Sequence, residues 1–198
     1  MLSMDIFKFD NPQPKCEQGG MLIAHPFLQE SYFQRGCICI VDKESDEAPT
    51  TGLVLNKVTN LFLNDIVDEI HSSEQIPIFC GGPLSLDRLF FIHDNPNIPE
   101  SQFVKEGLYF NGDFNSILEY INSGQPIGDH VKFFIGYSGW EKFQLAGEIQ
   151  KHVWAVDNKV EPKFFLKAGS TDLWNDSVKS LGDDYKSWLL CPIDPSLN

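Results

Sequence analysis

The sequence predicts an α+β domain built on a mixed sheet. Apolar runs of strand length follow one another directly in several places, and segments with helical spacing fall between them without a strict β-α-β rhythm. The chain has 198 residues. A chain of that size buries roughly 70% of its unfolded surface in one core without metal or disulfide help. Residues 1–18, with two prolines near the end, read as an N-terminal arm, and residues 19–198 as a single domain.

Met21-Leu22-Ile23-Ala24, bounded by Gly19-Gly20 and Pro26, has the form of a buried strand, and Cys37 to Val41 forms a second. Asp42 to Thr50 is acidic, carries Pro49 and reads as a surface loop before the strand Gly52-Leu53-Val54-Leu55. Leu63, Ile66, Val67 and Ile70 recur with helical spacing and predict an amphipathic helix. Strands are expected at Ile76 to Cys80 and Leu89 to His93, with Gly81-Gly82-Pro83 turning sharply between them, and again at Leu108 to Phe110.

Asp113 is the expected N-cap of a helix that presents Phe114, Ile117, Leu118 and Ile121 on one face and stops at Gly124. Val131 to Tyr137 reads as strand, and Ser138-Gly139-Trp140 as a turn into a helix containing Leu145 and Ile149. Val153 to Val156 and Lys163 to Leu166 are the last expected strands. A final helix near Asp172 to Leu181 begins after Ser170-Thr171 and ends at Gly182.

The formal charge of -13 repels phosphate backbones and anionic lipid, so direct nucleic-acid binding is disfavoured. Val131 to Lys167 is locally richer in lysine (Lys132, Lys142, Lys151, Lys159, Lys163, Lys167), which reads as a solvated face. The five cysteines (Cys16, Cys37, Cys39, Cys80, Cys191) form no Cys-x-x-Cys pair, and no apolar run is long enough to span a bilayer. A reducing, cytoplasmic location without membrane attachment is therefore expected.

Four patches in order, Gly20-Met21-Leu22-Ile23-Ala24-His25-Pro26, Gly52-Leu53-Val54-Leu55-Asn56, Gly81-Gly82-Pro83, and Gly136-Tyr137-Ser138-Gly139-Trp140 continuing to Gln144-Leu145 and Glu148, resemble the YqgE/AlgH family. The resemblance covers most of Gly19 to Val156. It implies a mixed sheet curled into a partial barrel with helices packed outside, and it brings no activity with it. Some relatives carry the label of transcriptional regulator. Phe143 and Ala146 depart from the family pattern, which has a small residue before the Gln and an acid after the Leu, so no role is carried over to either position.

Gly136 to Trp140 mimics a nucleophile elbow, but Gly-x-Ser-x-Gly is not matched, because Gly139 comes one residue early and Trp140 takes the place of the second glycine. The only later histidine is His152, with no strand before it to deliver an acid. A structural turn anchored by Trp140 is the preferred reading, with anion binding at the helix start as the alternative, in which Gln144 could orient a ligand. Gly81-Gly82-Pro83 lacks the Lys-Ser or Lys-Thr of a phosphate loop, and Pro83 removes an N–H donor.

His25, His71, His93, His130 and His152 are scattered, so neither metal nor cofactor is expected. Cys80, beside the double glycine, is the thiol worth testing, while His93-Asp94 and Glu148 with His152 read as ordinary surface pairings. The sequence thus points to a non-enzymatic binding or regulatory protein, acting on a protein partner or a small anionic ligand. Its candidate crevice holds Asn56, Gly81, Gly82, Pro83, Tyr137, Ser138, Gly139 and Gln144, beside Trp140 as a structural anchor. The alternatives are a hydrolase-like enzyme using Ser138 or Cys80, and a transcription-related regulator.

Overall fold

The computed structural model describes residues 14–167 and 172–192. Most of the expected arm, and the Ser170-Thr171 start of the last helix, lie outside the described residues. The strands are β1 (Met21–Ala24), β2 (Cys37–Asp42), β3 (Thr50–Val54), β4 (Val58–Phe62), β5 (Pro77–Cys80), β6 (Leu84–His93), β7 (Gln102–Lys105), β8 (Leu108–Phe110), β9 (Val131–Trp140) and β10 (Trp154–Asp157). The α-helices are α1 (Phe114–Asn122), α2 (Gln144–Gln150), α3 (Pro162–Leu166) and α4 (Leu173–Ser180), and 3-10 turns occupy Leu63–Asp65 and Asp183–Leu190.

All the strands join one sheet in the order β10-β1-β2-β3-β9-β6-β8-β7, with β5 beside β9 and β4 beside β5. The β5–β9 pair is parallel and the other pairs are antiparallel, so the sheet is mixed. It curls strongly into a half-barrel, and the fold is α+β. The long strand β9 makes the curl. Phe133 to Ile135 lie between β5 and β6, whereas Ser138 to Trp140 pair with β3. Between the two stretches Gly136 has φ 68°, which bends the strand from one set of partners to the other.

The period-2 alternation of β1 and β2 feeds two different layers. Met21, Ile23, Cys37, Cys39 and Val41 pack under Phe165, Leu166, Trp174, Val178 and Trp188, so α3, α4 and the final 3-10 turn cover one face. Leu22, Ala24, Ile38 and Ile40 point the other way, into Trp140, Leu145, Ile149 and Trp154 from the β9–α2–β10 segment. Both faces are buried, which is why these strands read as unbroken apolar runs. A third layer sets Ile117 and Ile121 of α1 against Ile78, Phe91 and Phe133.

Three expected elements differ. The Leu63 to Ile70 helix is a single 3-10 turn followed by open turns, because the Asn64 side chain holds the loop in another shape. Its amide donates to the Ser72 and Glu74 carbonyls and accepts from the Ile76 N–H, a local competitor that helical spacing alone does not reveal. Lys163 to Leu166 is not a strand but the body of α3, started by Pro162 at a first-turn position where its missing N–H costs nothing.

Ser138-Gly139-Trp140 is not a turn. It continues β9 in register with Thr50, Thr51 and Gly52, and the chain turns only at Phe143, which adopts φ 61° before α2. That left-handed backbone explains why a small residue suits this position, and Phe143 itself is 54% exposed.

Candidate functional site

The two glycine segments meet. Gly81 donates its N–H to the Ile135 carbonyl at 2.9 Å, and its own carbonyl accepts from the Val54 N–H at 2.9 Å and from the Ser138 hydroxyl at 3.0 Å. A Cβ on Gly81 would collide with the Gly136 carbonyl, and one on Gly82 with Ser138 Oγ and the Tyr137 carbonyl. Backbone lies on backbone here, which only glycine permits, and the seam between the segments is closed. Ser138 is 0% exposed, and its hydroxyl proton is directed at a carbonyl.

The other candidate residues are held elsewhere. Asn56 braces β2 and β3, accepting from the Cys37 N–H at 3.0 Å and donating to the Arg35 carbonyl at 2.8 Å. Pro83 is exposed, Gly139 lies under Leu84, and Tyr137 packs edge-on against Phe90 at 5.6 Å. Gln144 is exposed at the start of α2, where it accepts from the Glu141 N–H at 3.0 Å and donates to Glu148 Oε1 at 2.9 Å. The structure thus brings Gly81, Gly82, Tyr137 and Ser138 together and leaves Asn56 and Gln144 in separate braces.

Glu148 does more than a surface carboxylate. Its Oε2 accepts from the indole N–H groups of both Trp140 and Trp154 at 2.8 Å, while Oε1 takes the Gln144 amide. The two rings meet edge-on at 6.2 Å and are 4% and 2% exposed. One carboxylate on α2 thereby fixes β9 to β10, and Trp140 sits in the layer that α2 covers.

The His93-Asp94 pairing gives way. His93 is buried, with Nε2 within 2.9 Å of the Asn111 carbonyl and 3.1 Å of Ser101 Oγ, while Asp94 pairs with His130 at 2.8 Å. Burial lowers the His93 pKa.

Three thiols are embedded. Burial pushes Cys16 and Cys37 up to about 12 and raises Cys39 further, so none supplies a thiolate at neutral pH. Cys80 is half-buried with its sulfur 3.7 Å from the Gly82 carbonyl. Among the described residues no group of three His, Cys, Asp or Glu side chains could hold a metal ion.

Lys132 was missed by the reading of a solvated lysine face. It is 5% exposed in β9, donates to the Lys167 carbonyl at 3.2 Å and lies 4.1 Å from the centre of the Phe79 ring. The only sign of this in the sequence is its place inside the apolar run Val131 to Ile135.

Burial lowers the Lys132 pKa from 10.5 to about 8. Between those two values the unfolded chain holds the extra proton, so stability rises with pH across that window. Lys132→Met is expected to raise stability at pH 7 by up to a few kcal/mol, at about 1.4 kcal/mol per pKa unit, with the gain shrinking towards about pH 10. Paired urea titrations of both proteins at the two pH values check the sign. An equal gain at both would contradict the assignment.

A cleft of about 440 Å³ lies apart from the glycine seam, between the end of β10, α3 and α4. Phe164 gives it an apolar wall backed by Val160 and the buried Met21, and Lys159, Lys163 and Lys167 also line it. No candidate residue from the sequence lies there, because Met21 and Lys163 to Leu166 read as strands and the lysines as a solvated face.

Comparison with known proteins accords with this architecture. Residues 21–186 match the family described as AlgH-like. A UPF0301 protein of Parabacteroides distasonis is 45% identical over 98% of each chain, and one of Bacteroides thetaiotaomicron is 36% identical over 100% of this chain and 99% of its own. The crystal structure of a Corynebacterium diphtheriae protein superposes with TM-score 0.71 at 19% identity, covering 95% of this chain and 98% of that one. The solution structure of the AlgH protein from Pseudomonas aeruginosa gives 0.68 at 22%, covering 92% and 96%. At those identities the structures speak for the fold alone. Among the described residues no helix is long and apolar enough to cross a membrane. On sequence and fold together, the chain belongs to the AlgH-like family.

Proposed function

We propose that this chain is a non-enzymatic binding protein with a regulatory role, working in the cytoplasm on a protein partner or a small anionic ligand. The observation that carries the reading is Ser138. The one hydroxyl in an elbow-like setting is buried and donates to the Gly81 carbonyl, so it faces its own backbone rather than a substrate. The glycines around it serve close packing, and the carboxylate of Glu148 is occupied by two indoles. The five free cysteines support a reducing compartment. The net charge of -13 weighs against nucleic acid as the direct partner.

Purified protein offered generic esters, phosphate monoesters and peptides is expected to show no turnover that depends on Ser138 or Cys80. Turnover abolished by Ser138→Ala or Cys80→Ala would replace this reading with that of a hydrolase. A gel shift that weakens steeply with salt would instead favour the nucleic-acid alternative.

A further inference from the structure

We infer that the lysine-lined cleft is the ligand site, and that it takes a small amphipathic carboxylate, head group on the lysines and hydrocarbon body on the apolar floor. This rests on the binding-protein reading and adds to it a place and a ligand class. The cleft's volume of about 440 Å³ is within the usual range for small-molecule pockets. The floor is the half-buried Phe164, backed by Val160 at 9% exposure and by the fully buried Met21, so it is anchored to the packed core and does not need to be organised by the ligand.

Charge selects the head group. In a chain of net charge -13, three lysines line this single cleft against two acids, Asp157 and Glu161. Asp157 is turned to its own loop, accepting from the Lys159 N–H at 2.9 Å. Among the described residues, none of the three ammonium groups takes part in an ion pair, whereas Lys15, Lys43, Lys142, Lys179 and Lys186 all do.

Lys163 and Lys167 stand four residues apart at the two ends of α3, on the same side of the helix. The Lys167 backbone is pinned by the buried Lys132 ammonium, which fixes that end of the rim. A ligand with charge alone would leave the apolar floor wet, and one with hydrocarbon alone would leave the cations unanswered. An amphipathic carboxylate answers both.

Octanoate serves as the probe, titrated into the full-length protein by calorimetry beside acetate, which lacks the body, and octanamide, which lacks the charge. Saturable one-to-one octanoate binding is expected, with acetate and octanamide each at least tenfold weaker. The double variant Lys163→Gln/Lys167→Gln should lose roughly tenfold in affinity, as expected for two solvent-exposed ion pairs, with an unchanged denaturation midpoint. Ser180→Trp, which puts a large ring into the cleft from α4, should abolish binding.

The site is overturned if octanoate does not saturate at millimolar concentration, if either variant binds as the wild type does, or if acetate or octanamide matches octanoate. Failure of octanoate with no Ser138- or Cys80-dependent turnover sinks the cleft and leaves the binding-protein reading intact. Turnover lost in Ser138→Ala sinks that reading whatever octanoate does.

Discussion

Trp140→Ala is expected to lower stability by about 3–5 kcal/mol, the usual cost of truncating a large aromatic side chain at a core site. The ring is 4% exposed and packs in one layer with Leu145, Ile149 and Trp154, so its removal opens a cavity where α2 meets the sheet. It also takes away one of the two indole N–H groups that satisfy Glu148 Oε2. Gln144→Ala is the control, since Gln144 is exposed and binds the same carboxylate from outside. Its midpoint in guanidinium should stay within about 0.5 kcal/mol of wild type. Equal midpoints for wild type and Trp140→Ala would show that the indole is not an anchor.

Gly136→Ala should cost about 3 kcal/mol or more, from two separate causes. A non-glycine residue at φ 68° carries a backbone penalty of roughly 1–2 kcal/mol. The new Cβ would also lie 2.5 Å from the Gly82 carbonyl oxygen and 2.9 Å from that of Leu84, both backbone atoms that cannot rotate away. Relief would require β6 to separate from β9 at the corner where the sheet curls. Gly147→Ala is the comparison, since no atom lies within 4 Å of a Cβ built there and the residue is in α2. It should be neutral or stabilising. A Gly136→Ala protein as stable as Gly147→Ala would contradict the closed seam.

The elements that could be read from sequence are those whose local signals agree with their packing. β1 and β2 are apolar because both faces are covered, and α1 combines an amphipathic face with Asp113, whose carboxylate accepts from the Ser116 N–H at 2.8 Å. What was hidden depends on distant partners. The strand character of Ser138 to Trp140 comes from pairing with Thr50 to Gly52, some ninety residues earlier, and not from its own composition. β4 is largely exposed and β7 half so, and neither shows an apolar alternation. Leu63, Ile66, Val67 and Ile70 have helical spacing, yet the Asn64 amide outcompetes the helix.

The candidate site divides along the same line. The sequence marked both glycine segments but left open whether they meet. That they meet backbone to backbone follows from the bend in β9. The role of Glu148 was not legible, since Trp140 and Trp154 converge on it from two different strands.

The family signature holds the fold together, with Glu148 as the tie between β9 and β10. A double-mutant cycle between Glu148→Ala and Trp154→Phe, read as unfolding free energies in guanidinium, measures that tie. The expected coupling energy is about 1.5–3 kcal/mol, as for hydrogen bonds to a charged group. Additive effects, with coupling inside the experimental error, would contradict it.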